Sequence, residues 1–144
     1  MSIKIKLDGF DEMLAEIETA GGTIDNAAKK CLQKSADIMH DELKSQMQKS
    51  NVDGGLINRM PPPEIEAEGN RVTARVGYKK GAYDPENPSD GYKVVFANYG
   101  TPRRSVHGKQ PAKGFIQRAK KKSQARIKKA QAETLNDILR GLKG

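Results

Sequence analysis

The sequence predicts an α+β fold, a small antiparallel β-sheet packed against a long helix in the N-terminal half and a long C-terminal helix. Three observations point there. Short segments with every second residue apolar occur at the N-terminus and between residues 65 and 96. Two much longer segments, about 23–47 and 112–142, repeat apolar residues every three to four positions. Their order along the chain is strand, helix, helix, two strands, a further strand and a last helix. With 144 residues and 15.8 kDa, one domain spanning 1–144 is expected. Leu, Ile, Val and Phe number 8, 10, 6 and 3, so 27 of 144 residues, about 19%, supply the large apolar material. So thin a core suits a protein completed by neighbouring subunits.

Ile3, Ile5 and Leu7 alternate with Ser2, Lys4 and Lys6, which predicts a half-buried strand. Asp8 can cap the helix that follows, whose apolar face is Phe10, Met13, Leu14 and Ile17. Gly21 and Gly22 stop it. Thr23 opens the long helix, with a seam running from Ile24 and Ala28 through Cys31, Leu32, Ser35, Ala36, Met39 and Leu43 to Met47. The segment 49–63, with Gly54-Gly55 and Pro61-Pro62-Pro63, excludes both helix and interior strand and reads as a mobile loop. Its Leu56, Ile57 and Met60 then need cover from elsewhere, such as a neighbouring subunit.

Residues 65–67 and 71–78 read as a hairpin turning at Glu68-Gly69-Asn70, with Val72, Ala74 and Val76 on one face. A second mobile loop covers about 79–91. Tyr92, Val94 and Phe96 alternate and predict a further strand. A basic loop from Arg103 to Pro111 leads into the last helix, about 112–142, with the seam Ile127, Ala130, Leu135, Ile138 and Leu142.

Charge is divided unevenly. Residues 1–102 carry 13 Lys+Arg against 16 Asp+Glu, a net of −3; residues 103–144 carry 13 against 2, a net of +11. The basic helix presents Arg118, Lys120, Lys121, Lys122, Arg126, Lys128 and Lys129, preceded by Arg103 and Arg104. Such a surface attracts phosphate or an acidic protein face without reading sequence. Base-stacking aromatics are sparse there, Phe115 being the one nearby. A solvated face, an acidic protein partner and passing nucleic acid all remain open on these residues.

Other classes are set aside. The longest apolar run, Val94 to Ala97, is far short of the ~20 residues that span a bilayer, so no membrane partner is expected. The N-terminus shows no apolar signal-peptide region, and a cytosolic setting follows as the default expectation. One cysteine excludes an internal disulfide and a multi-cysteine zinc site. His40 and His107 have no metal-ligand spacing, no phosphate-binding Gly-rich loop precedes a Lys-Ser/Thr pair, and no Gly-x-Ser-x-Gly elbow occurs. Cys31 reads as a small thiol on the helix seam. His107 among Arg103, Arg104 and Lys109 lacks an evident second catalytic group. Neither an enzyme nor a cofactor is expected.

Three segments in order resemble the tail-completion, or head–tail joining, proteins of long-tailed bacteriophages. The first is IKIKLDGFDEML at 3–14; the second is DGGLINR at 53–59, similar to that family's Thr-Gly-x-Leu-x-x-Ser turn; the third is FANYGT at 96–101 followed by PAKGFIQRA at 111–119, similar to its aromatic-Gly-Thr and Pro-Ala-x-Pro-Phe segments. Here Asp53-Gly54 stands where that family has Thr before Gly, and Gly114 where it has Pro before Phe. Virion morphogenesis proteins of contractile-tailed phages share a similar layout. The resemblance implies a non-enzymatic virion protein at the head–tail junction, assembled in the host cytoplasm. It would form a homo-oligomeric ring, taken as a hexamer, that finishes the proximal end of the tail. Its partners would be neck or stopper proteins and tail terminator or tail tube proteins, with transient contact to packaged DNA. On that reading Leu56, Ile57, Met60, Tyr99, Gly100, Thr101, Pro111 and Phe115 serve the ring or partner interface, and the basic residues line a DNA channel or meet an acidic partner. The runner-up is a free-standing, sequence-independent nucleic-acid-binding module using the basic helix; a small nuclease or toxin around His107 comes third.

Overall fold

A strand at Ser2–Ile5 (β1) pairs antiparallel with Arg71–Gly77 (β3), which pairs on its other edge with Glu64–Glu68 (β2). The structure, a computed structural model, describes residues 2–68, 71–79, 88–100 and 111–143. The sheet order is β1-β3-β2. Register places Ile3 opposite Val76 and Ile5 opposite Ala74, and Ile65 also faces Ala74. Ile3, Ile5, Ala74 and Val76 are all buried on the sheet face that meets the helices. This is the small antiparallel sheet against long helices that the apolar periods predict.

The helices are α1 (Asp11–Thr19), α2 (Ile24–Lys49), α3 (Gly54–Asn58), α4 (Asp90–Tyr99) and α5 (Phe115–Lys143). Thr23 caps α2 as expected, its Oγ1 accepting from the Asn26 amide at 3.4 Å. Asp8 does not cap α1. Phe10 occupies that position without a side-chain bond, and the Asp8 carbonyl instead accepts from Lys128 Nζ at 2.8 Å. The turn after α1 uses Gly21 at φ 98°, and the Gly22 amide returns to the Ile17 carbonyl at 2.9 Å.

Three expectations change. The predicted strand at Tyr92, Val94 and Phe96 is helix α4. Its buried positions are Gly91, Val94 and Asn98, a helical spacing disguised because two of the three are not apolar. Tyr92 and Phe96 sit one turn apart with ring centroids at 6.3 Å. The segment 49–63 is not featureless either. It contains α3, and Leu56, Ile57 and Met60 are buried in this chain's own core. Tyr78 Oη donates to the Leu56 carbonyl at 2.5 Å, and Arg59 grips Asp90 through two bonds of 2.9 and 3.1 Å, tying α3 to the start of α4. One seam residue and one helix start also differ. Ile24 is 39% exposed rather than on the seam of α2, and α5 begins at Phe115, three residues later than expected. The second loop, about 79–91, lies largely outside the described residues.

The core is the α2–α5 pair laid against the sheet. Phe115, Ile116, Ala119, Ser123, Ile127, Gln131, Thr134 and Leu135 form the buried seam of α5. Three are polar, and two of these satisfy themselves locally: Ser123 Oγ donates to the Ala119 carbonyl at 2.6 Å and Thr134 Oγ1 to the Ala130 carbonyl at 2.7 Å. A smaller cluster of Ile17, Ala27, Cys31 and Leu135 holds α1 down.

Cys31 is the buried thiol the seam predicts, donating to the Gln131 carbonyl at 3.6 Å. Burial pushes its pKa from 9.0 up to about 11, with Lys34 opposing, and burial likewise pushes Tyr78 from 10.0 up to about 12. Both groups are neutral in the folded chain where the unfolded chain would already have ionised. Their stabilising effect is complete below about pH 9 and is lost as pH rises towards 11 and 12. Melting temperature is therefore expected to fall progressively above pH 9, and Cys31→Ala should flatten the first part of that fall. Identical alkaline profiles for the two proteins in thermal melts would contradict this account.

Candidate partner surface on the basic helix

The first half of α5 carries its cations on three sides. Ala119 and Ser123 are buried, so Lys121, midway between them at 100° per residue, points away from the core. Arg118, Lys122 and Arg126 follow each other at one-turn intervals along the flank that faces the C-terminal half of α2. There Arg118 Nε donates to Gln46 Oε1 at 3.3 Å and its Nη2 donates to Ser50 Oγ. Gln46 Nε2 donates to Glu42 Oε1 at 2.9 Å, and Arg126 Nη2 reaches Glu42 Oε2 at 2.7 Å. The Gln46 amide, and then Arg126 and Lys122, hold the Glu42 carboxyl below its usual range. On the other flank Lys128 bonds the Asp8 carbonyl and lies 5.3 Å from the Phe10 ring centroid. Lys129 meets Glu133 at 3.9 Å, one turn on.

The basic run thus divides. Arg118, Arg126 and Lys128 stitch α5 to α2 and to the β1–α1 connection, a role the sequence reading did not assign. The i, i+4, i+8 spacing of Arg118, Lys122 and Arg126 was the available signal. Lys120, Lys121 and Lys122 are exposed and have no ion-pair partner among the described residues. Arg103, Arg104 and His107 lie outside the described residues.

The residues expected at a ring interface are likewise sorted by burial. Leu56, Ile57, Met60 and Phe115 are inside the subunit, so their side chains offer no outer surface. Tyr99 is 59% exposed, and Pro111 is exposed. Thr101 lies outside the described residues. Gly100 ends α4 at φ 81° and ψ 173°. Its positive φ closes a helix where the sequence predicted a strand. Beyond it the two chain segments of the third motif are bonded together. The Lys113 amide donates to the Ala97 carbonyl at 3.2 Å and the Gly114 amide to the Asn98 carbonyl at 3.0 Å. Asn98 Oδ1 accepts from the Ile116 amide at 2.9 Å, satisfying one of the free donors at the start of α5. Gly114 has φ 61°, which proline cannot adopt, so the departure at this position reaches the backbone.

Among the described residues no three His, Cys, Asp or Glu side chains gather as metal ligands, and no helix is long and apolar enough to cross a membrane. Comparison with protein-family models, curated proteins and solved structures finds no match to this chain.

Proposed function

We propose that this chain is a non-enzymatic structural protein of a long-tailed phage particle. It forms a homo-oligomeric ring at the head–tail junction, completing the proximal end of the tail and joining it to the neck. The observation carrying this assignment is the ordered set of segments at 3–14, 53–59, 96–101 and 111–119. In support, two of them, 96–101 and 111–119, meet at one joint, where Asn98 holds the start of α5 and Phe115 is buried beside it. Exposed Tyr99 at that joint, and the outward cations of α5, offer surface for neighbours. Gold-labelled antibody against the chain should mark a single band between head and tail in electron micrographs of particles. Label along the tail shaft, on the capsid, or absent from particles would refute the assignment.

A second reading, the nucleic-acid-binding module, is favoured by Lys120, Lys121 and Lys122 alone. Tight, salt-sensitive binding of duplex DNA by a monomer would select it.

A further inference from the structure

The opposite end of the α2–α5 pair carries a surface complementary to the basic helix. A cleft of about 680 Å³ opens between α1, the first turns of α2 and β3. Leu7, Leu14 and the exposed Ile24 give it an apolar floor, and Asp11, Glu18 and Asp25 stand on its rim. Lys6 and Arg71 also line it. Helix α1 is strongly acidic, with Asp11, Glu12, Glu16 and Glu18 and no cation. On the rim, Asp11 and Glu18 have no ion-pair partner among the described residues, whereas Asp25 meets Lys29 at 4.0 Å. Lys122 of α5 lies near Glu42 of α2, whereas the cleft lies beside Ala28, about 20 Å away along α2 at ~1.5 Å per residue.

We propose that the acid-rimmed cleft of one subunit receives the outward side of α5 at Lys120 and Lys121 from a second copy of this chain. The inference rests on the ring-forming reading and assigns its contact. Two different patches joined in this way make a heterologous contact, the kind that closes into a ring instead of stopping at a two-fold dimer. Lysine suits the cleft twice over: its ammonium meets the rim carboxylates, and its aliphatic stem covers Ile24. Duplex DNA would satisfy the lysines but be repelled by the cleft, so the pair of surfaces favours a protein copy. Contacts of rim charges also make assembly salt-sensitive.

The test is light-scattering mass of the purified full chain at low and high salt. Wild type should assemble at low salt and dissociate at high salt. The double variants Lys120→Glu with Lys121→Glu, and Asp11→Lys with Glu18→Lys, should each weaken assembly roughly tenfold or more, with unchanged helical circular dichroism. Mixing the two variants should restore assembly, because each reversed face then meets an opposite charge on the other. Wild-type assembly by either variant alone, or no recovery on mixing, overturns the surface assignment while leaving the ring intact. A monomeric wild type at all concentrations overturns the ring itself, and if that monomer binds DNA the nucleic-acid reading replaces it.

Discussion

Phe115→Ala is expected to destabilise the chain by about 3–5 kcal/mol, the usual cost of deleting a buried aromatic ring. Phe115 is fully buried at the first position of α5, packed in the main cluster that joins α2, the sheet and α4. Ile116 beside it is buried in the same cluster, but Phe115 is the larger side chain and the one with no exposed surface. The neighbouring Ile116 is held through its amide by Asn98, and the next buried residue, Ala119, is small. For a domain stable by about 5–15 kcal/mol that cost is a large fraction, corresponding to a fall of roughly 10–15 °C in Tm. Chemical denaturation would check it, and a loss under about 1 kcal/mol would show that Phe115 does not anchor the helix.

The second large effect is expected at Gly100. Its φ of 81° with ψ of 173° lies in a region that is essentially confined to glycine. Its amide is committed to the Phe96 carbonyl at 2.8 Å, so the backbone cannot simply rotate to relieve a side chain. Gly100→Val should cost about 1–3 kcal/mol or more, since a branched Cβ is least tolerated at positive φ. Gly141→Ala is the matched control. It lies in the last turn of α5, where an added Cβ meets nothing within 4 Å, and it should be neutral or slightly stabilising. Equal melting temperatures for Gly100→Val and wild type would mean that the exit from α4 has ordinary geometry.

Where one face of an element is uniformly apolar, the sequence showed it. The alternation of Ile3 and Ile5, the hairpin strands β2 and β3, and the seam of α2 from Ala28 to Met47 lie where their periods placed them. What misled was burial by residues that are not apolar. Helix α4 buries Gly91 and Asn98 on either side of Val94, so only Tyr92, Val94 and Phe96 stood out, at the spacing of a strand. Burial of Val94 in the main core, with Arg59 and Asp90 paired at the helix start, accompanies the helical conformation. Of the seam expected in α5, Ile127 and Leu135 are buried, Ala130 and Ile138 are half-buried and Leu142 is exposed; the true seam runs through Ser123, Gln131 and Thr134, polar residues that apolar periodicity passes over. Helix α3 is five residues long and starts with two glycines, too short for any period to register.

For the candidate surfaces the balance is different. The concentration of positive charge in the last third was plain, but which cations are spent inside the subunit depends on α2 presenting Glu42, Gln46 and Ser50 to them. The acidic character of α1 was visible in its residues, yet the cleft it rims exists only because α1 folds back across the start of α2 beside β3. Leu56 and Ile57 turn inward because α3 gives them a helical face whose backbone Tyr78 fixes, and Met60 follows through its amide bond to the Ile57 carbonyl at 3.1 Å.

The proposed role at the head–tail junction is tested most directly by removing the chain from an assembling phage and imaging the lysate. The account predicts DNA-filled heads and complete-length tails that accumulate unjoined, and joining of the two when purified wild-type protein is added. Intact, infectious particles in its absence, or tails that fail to form at all, would contradict it.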